Sequence, residues 1–269
     1  MYKHTVAIFL LLFILGSCTQ QQSKNDSERK TFTLPIVIQE QTKDTVELFK
    51  CDALNEVWFE FYGKHKFTDT LKLAEHRKRD TTYRKDFIHE YWRPTENDTL
   101  TTDGFQIFPD YKTTIHHKED YLTRGNYYFP VYVVNETSRT KVFTAKDSYV
   151  FGVQEAIDTS EWHLGEWRPI ESKGFDFCGN GNWGLKIHPG EFIIFLVPKY
   201  DGKEKQLMRI RLQIGESIYL SKSYEGTFNR KQFNIEKKSW MDNSLKVDKA
   251  STINGLFYGA KPKGYDYER

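Results

Sequence analysis

The chain has 269 residues, 38% hydrophobic and 16% aromatic, with 39 basic and 37 acidic residues giving a formal charge of +2. This length suits one large β domain or two small ones, and the near-neutral balance with scattered Lys and Arg argues against nucleic acid as a partner. With 20 Phe and 16 Tyr against only 3 Met, plus 17 Gly, the composition favours pleated, half-buried surfaces and hence an all-β protein.

The first residues form a separate unit. Lys3 precedes an unbroken apolar run from Val6 to Leu15, and Gly16-Ser17-Cys18 follows. Such a run rises about 15 Å as a helix, whereas a bilayer core needs about 20 residues. The run is too short to span, and its flanks read as a secretory signal over residues 1–17. Gln20 to Lys30 contains no apolar or aromatic residue. A segment of that composition cannot bury a core, so residues 18–30 are expected to be a flexible tether.

Leu15-Gly16-Ser17-Cys18 resembles the lipobox of bacterial lipoproteins. The resemblance implies that the Cys18 sulfur receives a diacylglycerol, that the signal is cut before Cys18, and that the new amino terminus is acylated. Two or more chains, at about 0.8 kcal/mol per buried methylene, hold a protein on a membrane without a spanning helix. Thr19 in place of Asp implies, by the same resemblance, transfer to the outer membrane. The whole chain is also similar to envelope lipoproteins of the Bacteroidetes type, a likeness that carries an address but no activity.

Past the tether the periodicity is strand-like. Val57, Phe59 and Phe61 share one face, opposite Glu56, Glu60 and Tyr62. Residues 31–125 are expected to form an N-terminal β region with charged, irregular strands. Residues 126–240 look more regular. Strands are predicted at Tyr128–Asn135, Lys141–Phe143, Tyr149–Asp158, Trp167–Ile170 and Leu185–Ile187. Phe192–Val197 is apolar at every position and reads as a central strand covered on both faces. In Leu207–Ile214, Met208, Ile210, Leu212 and Ile214 alternate with Arg209, Arg211 and Gln213, the pattern of a half-wet strand. Asp201-Gly202 separates these two strands, which are expected to be antiparallel neighbours, and Gly215-Glu216 precedes Ile218–Leu220. No segment has a convincing amphipathic helix, and residues 241–269 are expected to be a hairpin or loose tail. The strand order, with an Asn135-Glu136-Thr137 turn and a Pro189-Gly190-Glu191 corner, resembles bacterial immunoglobulin-like domains. It implies an antiparallel β-sandwich over residues 126–240.

Motifs with chemical potential fail their context tests. Gly179-Asn180-Gly181-Asn182-Trp183-Gly184 fits G-x-G-x-x-G, but a strand rather than a helix follows it. Adjacent histidines such as His116-His117 point to opposite faces of a strand, so one metal cannot take both. No catalytic residue, cofactor or metal ligand is assigned. Glu161, Glu166, Glu171 and Asp176 keep open an alternative as a glycan-active hydrolase, which needs two carboxylates flanking a bond. Cys51 and Cys178, the pair left once Cys18 is lipidated, form one disulfide or two buried thiols.

The strongest binding candidates are Trp162, His163, Trp167 and Trp183, set in loops at the end of the expected sandwich. They either fill the core or take a ligand such as a glycan. Thr45, Thr70 and Thr99 each follow Asp and precede an apolar residue. They resemble the O-glycosylation signal of exported Bacteroidetes proteins, and Asp-Thr is also an ordinary turn-to-strand start. The reading that follows is a lipid-anchored outer-membrane protein acting as a non-catalytic binding or structural module. Its partners are the membrane, a glycan or another envelope protein; a rival role is a subunit of an envelope assembly that adds a partner strand at a sheet edge.

Overall fold

The computed structural model describes residues 31–39, 46–73, 84–88, 100–117, 125–160, 164–174 and 180–265. The signal and Cys18, the tether, Thr45, Thr99, Glu161, Trp162, His163, Asp176 and Cys178 lie outside the described residues. Among the described residues no helix is long and apolar enough to cross a membrane.

Strands dominate. In chain order they are β1 (Ile36–Gln39), β2 (Val46–Glu47), β3 (Phe49–Lys50), β4 (Asn55–Val57), β5 (Phe59–Lys66), β6 (Thr70–Leu73), β7 (Phe87–Ile88), β8 (Gln106–Pro109) and β9 (Ile115–His117). There follow β10 (Gly125–Asn135), β11 (Lys141–Lys146), β12 (Tyr149–Val150), β13 (Gly152–Asp158), β14 (Glu166–Pro169), β15 (Glu171–Lys173) and β16 (Asn182–Ile187). The last are β17 (Glu191–Pro198), β18 (Tyr200–Asp201), β19 (Glu204–Ile214), β20 (Ser217–Leu220) and β21 (Tyr224–Phe228), before α1 (Trp240–Val247) and α2 (Lys249–Phe257).

Two sheets carry the fold. The larger, of ten strands, runs β2-β10-β17-β5-β12-β11-β16-β7, with β8 and β9 also on β10. The smaller, of five, runs β14-β13-β19-β20, with β21 on the first half of β19. The chain passes from one sheet to the other at Phe151, between β12 and β13. Gly152 is required there, because a Cβ would stand 2.4 Å from Leu212 and 2.9 Å from the Arg211 carbonyl.

The apolar patterns explain the layers. Phe192 to Val197 are all fully buried. Ile193, Phe195 and Val197 enter a core shared with Met208, Ile210, Leu212 and Ile214 of the smaller sheet. Phe192, Ile194 and Leu196 enter a second core on the other side, with Phe32, Leu71, Tyr128 and Tyr132. Each such side chain contributes roughly 1.5–3 kcal/mol on burial. Phe59 and Phe61 of β5 are likewise buried on one face, and Glu56, Glu60 and Tyr62 are only half-buried. The Asn135 turn forms as well: Asn135 Oδ1 accepts from the Thr137 N–H at 3.0 Å, and Asn135 Nδ2 donates to the Ile187 carbonyl at 2.7 Å.

Several expectations are corrected. The sheets are mixed, not purely antiparallel: β1–β6, β2–β10, β4–β15 and β3–β18 pair in parallel. The N-terminal region is no separate layer, because β5 lies between β17 and β12 in the large sheet and residues 31–269 form one compact unit. β17 and β19 are not neighbours; they belong to different sheets and face each other across the core.

The segment after residue 240 is neither a hairpin nor a tail. Ser239 caps α1 by accepting from the Asp242 N–H, and Asp248 ends α1 and caps α2 by accepting from the Ser251 N–H. Met241, Leu245, Phe257 and Ala260 then close a third small core. These are ordinary N-cap residues, and they outweigh the local Gly and Ser content.

Candidate functional site

A groove of about 390 Å³ opens beside Trp183. Its walls include Trp183 and Asn182 of β16, Phe151, Lys173 of β15, Gln213 of β19 and Tyr258 after α2. The two sheets and the C-terminal helices thus each supply a wall. Among the described residues no Asp or Glu lines it.

The turn joining β11 to β12 sets the Trp183 ring. Asp147, in a left-handed conformation, receives the indole N–H on its carbonyl at 2.9 Å and donates its own N–H to the Gly181 carbonyl at 2.9 Å. Gly181 has φ +85°, and a Cβ there would sit 2.2 Å from the Asp147 carboxylate, so this approach requires glycine. The ring meets Phe61 edge-on at 5.0 Å and Phe87 at 5.4 Å. Half of Trp183 therefore belongs to the core and half to the groove.

On the opposite wall the Lys173 ammonium stands 5.3 Å above the Phe151 ring. Gln213 donates its backbone N–H to the Phe151 carbonyl at 2.9 Å and its side-chain amide to the Gly215 carbonyl at 3.1 Å. Aromatic surface, amides and one ammonium are thus held on rigid strands. Such a set grips a polar ring from its flat face and its hydroxyl edge.

Trp167 does not join this group. It lies on β14 at the edge of the smaller sheet, half-buried under the Arg209 guanidinium at 4.2 Å. Arg209 in turn holds the buried Glu155 at 2.6 Å. Trp167 and Trp183 sit on different sheets, and Trp162 and His163 lie outside the described residues. Thr70 is exposed at the start of β6.

The carboxylates also separate. Glu166 is exposed and pairs with Arg168. Glu171 is fully buried, where it accepts from the Tyr200 hydroxyl at 2.5 Å, the Gln154 N–H at 2.7 Å and the Gln154 amide at 3.1 Å. The Tyr224 hydroxyl completes the network on Gln154 at 2.9 Å. Burial without a cation pushes the Glu171 carboxyl up to about 7 against the lowering effect of those hydrogen bonds. In this arrangement Glu171 cannot touch a substrate.

Cys51 is a free, buried thiol, the second of the two alternatives left open for it, and Cys178 lies outside the described residues. Burial pushes it up to about 11, and its sulfur accepts from the Asn55 amide at 3.7 Å. His116 and His117 lie on β9, with His117 paired to Glu60. Among the described residues no group of three His, Cys, Asp or Glu side chains is placed to hold a metal ion.

Lys173, Phe151, Gln213 and Tyr258 were not singled out from sequence. Only their aromatic or amide character hinted at binding, and such residues recur throughout the chain. No protein-family model matches the chain, and no curated protein or solved structure matches it.

Proposed function

We propose that this chain is a lipid-anchored envelope protein whose β body is a non-catalytic binding module for a glycan-like ligand in the Trp183 groove. The groove carries the reading: Trp183 and Phe151 offer flat apolar surface, and Asn182, Gln213 and Lys173 offer donors between them. Sugar rings present apolar C–H faces and hydroxyl edges, so they match both kinds of wall. Two large sheets sharing one apolar core support the immunoglobulin-like sandwich reading.

In this proposal residues 1–17 are removed, Cys18 carries the lipid, residues 18–30 are the spacer, and the outer membrane is the address. The exposed Thr70 is an O-glycosylation site of the same envelope protein.

A glycan array probed with the full chain in mild detergent tests binding. Trp183→Ala should lose the hits that the parent chain shows, and Trp167→Ala should keep them. An array with no hits, or hits indifferent to Trp183, would sink the binding proposal. The anchor is tested apart from it: Cys18→Ala should release the protein from membranes, and continued retention would refute lipidation.

A second reading, as an assembly subunit, draws on β1. Among the described residues this strand pairs only with β6, and it exposes Ile36 at 70% and Ile38 at 48%. Such an edge suits addition of a partner strand. Ile36→Pro should then abolish a stoichiometric complex that the parent chain forms with an envelope protein, and a parent chain that extracts as a clean monomer would count against this reading.

A further inference from the structure

The C-terminal helices form one side of a second and larger cleft, of about 940 Å³. Among the described residues its walls carry Lys237, Lys238, Lys246, Lys249 and Lys263 against one acidic residue, Asp242. Charge is concentrated in this part of the chain. Between Arg230 and Lys263 there are eight Lys or Arg and three Asp or Glu, a net +5, whereas the whole chain sums to +2. The rest of the molecule is therefore net −3, and the field of the protein is polarised toward this cleft.

Asp242 does not neutralise it. Its carboxylate is already occupied by the Lys246 ammonium at 2.6 Å, the Lys238 backbone N–H at 2.6 Å and the Tyr265 hydroxyl at 2.5 Å. Lys263 reaches Asp158 at 3.0 Å. Lys237 and Lys238 are exposed, and neither makes an ion pair among the described residues.

One lysine sits where the backbone does not favour it. Lys238 has φ +65°, a left-handed conformation that Gly or Asn adopts with less strain. A ligand of opposite charge gives a reason for a cation at this strained and exposed position.

We propose that this cleft binds a ligand carrying several phosphate groups. Its volume exceeds what one phosphate needs, and its charges are spread around the walls. The cations are all lysine. A lysine ammonium is a compact point charge that meets phosphate oxygens from any direction, whereas planar carboxylates favour the arginine fork. The site lies on the helices and is independent of the Trp183 groove and of the anchor.

Inositol hexakisphosphate is the soluble probe, titrated calorimetrically into the full chain in nonionic detergent at low and high salt. The expected result is saturable binding that weakens about tenfold or more in high salt, where the screening length falls to a few ångströms. The double variant Lys237→Gln/Lys238→Asn should lose about tenfold in affinity with an unchanged or higher melting temperature, because Asn tolerates the left-handed conformation. Lys205→Gln, at an exposed pair with Glu225, should bind like the parent.

Vesicle flotation of the Cys18→Ala variant identifies the source. Retention on vesicles containing phosphatidylinositol bisphosphate, but not on pure phosphatidylcholine, supports a lipid headgroup. Hexakisphosphate binding without vesicle retention supports a soluble polyphosphate. No hexakisphosphate binding, or equal binding by the double variant, would overturn the proposal.

Discussion

Replacing Glu171 by glutamine should flatten the dependence of stability on pH across the slightly acidic range. The wild-type carboxyl titrates near its ordinary 4.5 in the unfolded chain and at about 7 in the fold, because burial disfavours its charged form. Between those values the folded state holds a proton that the unfolded state has lost. The stabilising contribution is fully present below pH 4.5 and is lost as pH rises through about 7. With 1.36 kcal/mol for each pH unit separating the two titrations, the loss is about 3 kcal/mol.

Neighbouring groups leave this window clear. Cys51 is pushed up to about 11, and Tyr200 and Tyr224 also sit well above their ordinary values, all chiefly through burial. At Asp86 and Asp158 burial works to raise the carboxyl, but hydrogen bonds and the charges of Lys64, His188 and Lys263 outweigh it, and both are held low. Hydrogen bonds lower Asp103 and Asp242 as well, led by Lys141 and Lys246 respectively. These carboxylates titrate below the window. The assay is urea denaturation of parent and Glu171→Gln at several pH values from 4.5 to 8. The parent should lose about 3 kcal/mol over that range relative to the variant. Parallel curves would refute the assignment of the slope to this carboxyl.

Other substitutions probe the frame around the sites. Lys64 is buried between Asp86 at 2.8 Å and Glu191 at 2.6 Å, so Lys64→Met should cost about 3–5 kcal/mol in chemical denaturation by stranding two carboxylates; a loss under about 1 kcal/mol would contradict that picture. A Cβ at Gly202 would lie 2.0 Å from the Phe228 backbone. Gly202→Ala should therefore destabilise by about 2 kcal/mol or more, read from the urea midpoint, and an unchanged midpoint would count against the close approach. Cys51 should resist iodoacetamide at pH 8 until urea is added, because its buried thiol stays protonated up to about 11. Peptide-mapped labelling of Cys51 in the native protein would show that the site opens.

Faces were legible along the chain; neighbours were not. The alternation in Leu207–Ile214 and the unbroken run Phe192–Val197 named their buried positions correctly. Their separation by a short Asp-Gly turn suggested pairing, yet the two strands joined different sheets, because β5 pairs along β17 instead. The C-terminal helices carry local signs in the sequence. Ser239 and Asp248 are cap residues, and Met241 and Leu245 are four apart on one face. Short helices rich in Asn, Ser and Gly have weak propensity, and it is the packing of Met241, Leu245 and Phe257 that holds them.

The candidate sites divide in the same way. Trp183 stands out by its aromatic loop, but the Phe151, Lys173, Gln213 and Tyr258 walls come from segments more than a hundred residues apart at the extremes. Glu171 was noticed as an acid, and nothing in the chain tied it to Gln154, Tyr200 and Tyr224. By itself the sequence determined the β class and which side of each strand turns inward, since a side-chain period of two is a local property. Only the tertiary structure decided that the sheets are mixed, that Trp167 and Trp183 lie on different sheets, that Cys51 is a buried thiol and that five lysines share a cleft. Those outcomes depend on which distant strands and helices pack together, and many pairings satisfy the same local pattern.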